Sequence, residues 1–304
     1  MRRVIGAIGR SFVTVGLLIL LFVAYQLWGT GLYTSREQDR LRNEFTSALH
    51  GHKPPATTST TTTTTTAATP TAPTVTTTTS PPVVLPLLSS EGGPVAQIRI
   101  PRIGLDDIVV QGISRDDLRK GPGHYPDSPF PGQAGNAAIA GHRTTYGAPF
   151  GDLDQLENGD RIFVRTVQGS FTYVVFDPRH IVAPSDVSVL DPIPSKAVLT
   201  LTTCNPKYSA AQRLVVRAEL QEPPLPAPEL HKHPKVTEAG LSGEEGSKLP
   251  TLISGLIAAL IGGLWWLIFH RHPRWTTWFM GVVPFAVALF FFYSYLERVL
   301  PANY

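Results

Sequence analysis

The chain contains a single cysteine, Cys204, which closes the run Leu199-Thr200-Leu201-Thr202-Thr203-Cys204. β-Branched and aliphatic residues in such a run predict a buried strand. After a short polar loop a second run follows, with Arg213 near its start. Leu199 and Leu201 alternate with Thr200, Thr202 and Cys204, while Leu214, Val216 and Ala218 alternate with Arg213, Val215 and Arg217. If the leucines face a core, Cys204 and Arg213 share the other face of a hairpin, a thiol beside a guanidinium. An unperturbed thiol is mostly protonated near neutral pH, so nucleophilic chemistry there needs a base or a positive neighbourhood. Two histidines are candidates for the base: His124 in Gly-Pro-Gly-His-Tyr-Pro, and His142 in Ala138-Ile139-Ala140-Gly141-His142-Arg143. With Ile139 pointing inward, His142 points outward, onto the face assigned to Cys204. His124 is the runner-up, because Pro122 and Pro126 make its loop a structural corner. His180, just after Pro178, reads as structural. These residues alone leave Cys204 open between a buried structural thiol and a nucleophile.

The elements that must position these groups are short and β-like: 96–100, 107–111, 137–142, 160–166, 171–182 (broken at Pro178), 196–204 and 212–220. Gly121-Pro122-Gly123 and Pro129-Phe130-Pro131-Gly132 punctuate them, and only 115–119 and 152–157 suit short helices. Seven or so strands without crossover helices predict an all-β, closed barrel of antiparallel or mixed pairing. Val95 starts this domain and Pro223-Pro224 ends it, giving a folded unit over 95–222.

Outside that unit the composition changes sharply. Residues 12–28 with Val4–Ile8 follow arginines and suffice for a bilayer span, which needs about 20 apolar residues; a retained anchor over 1–30 is favoured over a cleaved signal peptide. Two more apolar stretches lie at 249–269 and 275–296, forming a membrane hairpin over 249–296 with a tail at 297–304. Arg2, Arg3, Arg10 and the basic turn His270–Arg274 then belong on the cytoplasmic side, leaving the central domain outside. Within 31–94, Leu41, Phe45 and Leu49 recur every four residues, predicting an amphipathic helix against the membrane or the domain. Pro54–Pro94 is nearly all Thr, Pro, Ala and Ser, predicting a disordered spacer that reaches on the order of 100 Å and holds the domain away from the lipid. The segment 223–248 is a linker. Its His231 and His233 are read as solvated, and no metal is expected. A net charge of +3 on 304 residues does not argue for nucleic acid.

Three of these segments together resemble the sortase family. Thr200-Leu201-Thr202-Thr203-Cys204 is similar to its Thr-Leu-any-Thr-Cys signature, Ala140-Gly141-His142-Arg143 to its histidine segment, and Arg213 falls where its arginine does. The stretch Gly141–Phe150 looks most like class E sortases of high-GC Gram-positive bacteria. The resemblance implies an eight-stranded barrel, a Leu-Ala-any-Thr-Gly sorting signal rather than the Leu-Pro form, and no cofactor. It implies that Cys204 attacks the Thr carbonyl to form a thioester, that His142 serves as acid and then base, and that Arg213 stabilises the oxyanion. Thr203 would help bind the signal, and Tyr146 matches the tyrosine associated with the alanine preference, although it also suits a loop aromatic packed on the barrel. The implied partners are surface proteins bearing the signal, the membrane, and a lipid II-type peptidoglycan amine. The rivals are a pilus-polymerising sortase and a non-enzymatic stalked β-domain. An L,D-type transpeptidase is disfavoured, since Thr202-Thr203 stands where it would carry its histidine segment.

Overall fold

The computed structural model describes residues 16–51, 90–191, 196–226, 248–269 and 275–299. Eight strands close a barrel: β1 (Pro94–Ile100), β2 (Leu105–Gln111), β3 (Gly123–His124), β4 (Gly135–Ala140), β5 (Arg161–Thr166), β6 (Gly169–Val182), β7 (Ala197–Asn205) and β8 (Gln212–Leu220). The order around the barrel is β1-β2-β3-β4-β7-β8-β6-β5, with β2/β3 and β4/β7 parallel and the other neighbours antiparallel. The strand that residue pattern did not anticipate is β3, hidden in the Gly121-Pro122-Gly123 turn signal. Gly123 and His124 nonetheless pair with Val110 and Gln111 on one side and Ala140 and Ile139 on the other. Only glycine allows this approach, because a Cβ at Gly123 would run into the Gly112 carbonyl. Pro178 bends β6 rather than ending it: the pairing with β8 shifts register between Val175 and His180 and then resumes.

Alternation divides the buried side chains into two layers. Ile98, Ile139, Leu199, Leu201, Leu214, Val216 and Tyr173 fill the barrel, with the Tyr173 hydroxyl accepting the Gly132 N–H at 2.7 Å. The other faces of β4, β7 and β8 are also covered. Ala138, Ala140, Cys204 and Val215 lie beneath Leu118, Tyr125, Val182, Val189 and Leu190.

The amphipathic helix forms and its partner is the barrel. α1 (Thr30–Gly51) continues directly from helical residues 16–24 and a π-helical turn at Tyr25–Gly29. Leu41 and Phe45 are fully buried on Ile108 and Val110 of β2. Gln38 acts like a strand neighbour, its amide accepting from Ile108 N–H at 2.7 Å and donating to the Ile108 carbonyl at 2.9 Å. Arg42 donates to the Asp106 carbonyl at 2.8 Å. Most of the expected spacer, residues 52–89, lies outside the described residues. The helix that precedes the spacer is already docked on the barrel, because its apolar stripe covers β2.

A one-turn α2 (Arg115–Leu118) is capped by Ser114, whose hydroxyl accepts from Asp117 N–H. At the C-terminal end α3 (Lys248–Phe269) packs on α4 (Trp275–Val299), with Gly255 and Gly262 set against Phe292 and Phe285. The N-terminal helical segment joins them: Tyr25 and Ser294 hydroxyls lie 3.0 Å apart, Tyr293 donates to the Leu18 carbonyl at 2.7 Å, and Phe22 meets Tyr293 edge-on. Among the described residues one helix, Lys248–Ile268, is long and apolar enough to cross a membrane, and Gly281–Leu296 is a shorter apolar helix. Residues 1–15 of the expected first span lie outside the described residues, so of the three expected spans the described residues hold one candidate and one shorter apolar helix.

Candidate active site

The hairpin β7–β8 brings Cys204 and Arg213 into direct cross-strand register. Both are buried, at 2% and 5% exposure, on the face opposite Leu201, Leu214 and Val216. Arg213 is held in the turn by donating to the carbonyls of Ala210 and Gln212, each at 3.0 Å. The parallel pairing of β4 with β7 matches Ala138 to Thr200 and Ala140 to Thr202. Carried on by two residues, that register sets His142 opposite Cys204. The strands stay tied past the end of β4, since Gly141 N–H donates to the Thr202 carbonyl at 3.0 Å and the Thr203 hydroxyl donates to the Gly141 carbonyl at 2.8 Å. Thr203, expected beside Cys204 as a signal-binding group, uses its hydroxyl to tie β7 to the end of β4.

His142 is buried, with Nδ1 3.2 Å from the Thr145 hydroxyl and its ring 5.0 Å from that of Tyr146. Its carbonyl accepts from Phe150 N–H at 3.0 Å, closing the loop behind it. Tyr146 is itself buried and sits between His142 and the Arg119 guanidinium, 5.2 Å from its ring centre.

Pattern reasoning gave no role to Arg143, the residue after the histidine. Its Nη1 donates to the Cys204 carbonyl at 3.0 Å and to Asn205 Oδ1 at 2.8 Å, while Nη2 meets Asp154 at 3.1 Å. It is 4% exposed and bridges the His142 loop to β7. The signal available in the sequence was a second arginine adjacent to the proposed base. Tyr125 is the other unexpected neighbour, its hydroxyl 3.3 Å from that of Thr202.

Burial pushes the Cys204 thiol up to about 11, while Arg213 and Arg143 pull it down. Desolvation wins, so the thiol is protonated at neutral pH. His124 is fully buried, with Nδ1 3.0 Å from Gln111 Oε1, Nε2 2.9 Å from the Pro129 carbonyl, and its ring stacked on Phe130. It is a structural corner, and burial lowers it to about 4. His180 is half-exposed on β6, 3.9 Å from Asp177. Among the described residues no group of three or more His, Cys, Asp or Glu side chains is placed to hold a metal ion. His231 and His233 lie outside the described residues.

A closed β-barrel carrying a thiol and a guanidinium in register, with an imidazole loop tied across from them, is an arrangement suited to cysteine-based acyl transfer. A Sortase domain profile matches residues 98–221. Sortase SrtE1 of Streptomyces coelicolor is 29% identical over 231 residues, 71% of this chain and 57% of that protein. Sortase D of Bacillus subtilis is 38% identical over 109 residues, 36% of this chain and 53% of that protein. This chain thus spans little more than half the length of either curated relative. A solved sortase E from Streptomyces avermitilis is 39% identical, covering 44% of this chain and 91% of its own, with a TM-score of 0.40. The chain belongs to the sortase family, whose members are cysteine transpeptidases, and these sequence similarities support class E.

Proposed function

We propose that this chain cleaves the Thr–Gly bond of a Leu-Ala-any-Thr-Gly sorting signal and transfers the protein to the amine of a peptidoglycan precursor. The observation that carries the reading is the register of Cys204 with Arg213, tied to the His142 loop by Thr203 and Arg143. Cys204 passes its thiol proton to His142 and attacks the Thr carbonyl carbon, whose oxygen becomes an oxyanion beside Arg213. Removing an oxyanion donor of this kind costs on the order of 10²-fold in rate. The C–N bond then breaks, with His142 giving its proton to the departing glycine amine, and a Cys204 thioester remains. An incoming amine loses a proton to His142, attacks the thioester carbonyl and expels the thiolate, forming the new amide. Tyr146 packs against His142, at the position that the family resemblance associates with the alanine preference.

In the membrane arrangement we propose, 12–28, 249–269 and 275–296 span the bilayer, with the N-terminal arginines and the His270–Arg274 turn cytoplasmic and the barrel outside. The site then faces the cell-wall side, where signal-bearing proteins and lipid-linked amines are found together.

The test uses the full chain in detergent or nanodiscs with Leu-Ala-any-Thr-Gly and Leu-Pro-any-Thr-Gly peptides and a small amine. Mass spectrometry is expected to find a thioester on Cys204 and an amine-exchanged product, both lost in Cys204→Ala and both favouring the alanine peptide. Absence of adduct and exchange with either peptide, on folded protein, would overturn the reading.

A further inference from the structure

One face of α1 carries Thr30, Thr34, Gln38, Leu41 and Phe45, all buried. The stripe is apolar at one end and polar at the other, and the two ends do different things. Leu41 and Phe45 fasten the helix to β2 through Ile108 and Val110. The polar end reaches two segments next to the site. Thr34 donates to the Arg119 carbonyl at 2.9 Å, and Gln38 donates to the Lys120 carbonyl at 2.9 Å. Thr30 Oγ1 accepts the backbone N–H of Tyr146 at 3.2 Å. Above them the Arg119 guanidinium lies over two rings at once, Tyr33 of α1 at 5.4 Å and Tyr146 at 5.2 Å, a geometry that favours holding both rings in place.

What this end of the helix touches is a strained piece of backbone. Tyr146, Gly147 and Ala148 have φ of 50°, 75° and 47° in succession. Two of the three are not glycine, and non-glycine residues persist in this region only where their surroundings enforce it. Here the enforcing contacts are the Thr30 hydroxyl on the Tyr146 amide and Arg119 on its ring. Tyr146 is in turn the ring packed on His142. Leu41 and Phe45 pack α1 on β2, while the polar contacts reach further, to the loop that carries His142.

We propose that the first two turns of α1 are a positioning element for the active site, in which Thr30 and Tyr33, through Arg119, hold Tyr146 and thereby His142 in register. Because α1 runs without a break from the apolar helical segment 16–29, the element that anchors the chain also shapes the site. The catalytic consequence rests on the transpeptidase reading. The structural coupling does not.

The experiment compares the full chain in nanodiscs with Thr30→Val, Thr30→Ser, Tyr33→Leu and, as a control on the exposed face of α1, Arg40→Ala. Amide hydrogen exchange is followed in peptides covering 142–150 and, separately, 105–111 beneath Leu41 and Phe45. Thr30→Val is expected to speed exchange at 142–150 by about two- to tenfold, the range for one net hydrogen bond, while 105–111 keeps its protection. Thr30→Ser should restore the slow exchange, and Tyr33→Leu should act in the same direction as Thr30→Val. In turnover, Thr30→Val should lower kcat and flatten the preference between alanine and proline signals. Unchanged exchange at 142–150 in both Thr30→Val and Tyr33→Leu would overturn the proposal, as would faster exchange spread equally to 105–111. If the unsubstituted chain turns over neither peptide, the transpeptidase reading fails while the exchange data still decide the coupling.

Discussion

At the residue scale the site is built on two arginines with different duties. Arg213 stands beside Cys204 on the neighbouring strand, where the proposed mechanism places the oxyanion. Arg143 instead grips the backbone at Cys204 and the side chain of Asn205, and its charge opposes the desolvation that keeps the thiol protonated. Arg143→Gln is therefore expected to slow alkylation of Cys204 at pH 7 to 8, by roughly tenfold for each unit that the thiol rises, and to lower kcat more than it raises KM. Iodoacetamide kinetics against pH would measure it. Asp154→Asn should have the smaller effect, since Asp154 is 48% exposed and its ion pair with Arg143 is screened by water. An unchanged alkylation profile in Arg143→Gln would leave that arginine a packing role only.

At the element scale the determining feature is the parallel contact of β4 with β7, two strands far apart in the chain that finish together at the site. Their exit is tight: a Cβ on Gly141 would lie 2.6 Å from the Phe150 ring, on the residue before His142. Gly141→Ala is expected to cost about 1 to 3 kcal/mol of stability through overpacking and to reduce turnover beyond that by displacing His142. Thermal denaturation together with kcat separates the two effects. The other decisive element is α1. Leu41→Ala removes a fully buried side chain from its seat on β2 and should destabilise the folded barrel by about 2 to 5 kcal/mol, read as a loss of protection at Ile108 and Val110. A helix that served only as a membrane stub would tolerate the change.

At the scale of the whole molecule, pH acts with opposite signs on buried His124 and half-buried Asp107. Burial holds His124 near 4 against 6.5 when unfolded, so the unfolded chain binds more protons as pH falls. Stability from this group is present above about 6.5 and is lost as pH drops toward 4, by about 3 kcal/mol in all. Burial pushes Asp107 up to about 6 from 3.8, against the pull of Arg42. Its contribution is present below about 3.8 and is lost as pH rises through 6. The two slopes oppose between about pH 4 and 6, so Asp107→Asn should expose an acid-sensitive barrel, and His124→Asn one that gains stability on acidification. Tm followed by near-ultraviolet circular dichroism across that range tests both. The sequence by itself determined a great deal here, because alternation is a local property. It gave the strands that carry the chemistry, the shared face of Cys204 and Arg213, the corner at His124, and the stripe of Leu41 and Phe45. Composition likewise marked the apolar segments and the Thr/Pro-rich stretch. Only the tertiary structure decided which partner that stripe meets, that Arg143 reaches across to Cys204, that Thr203 turns its hydroxyl to Gly141, and that Gly123 and His124 complete the barrel. Each of these depends on contact between segments distant in the chain, and the energy of such a contact is not carried by the pattern of either segment alone.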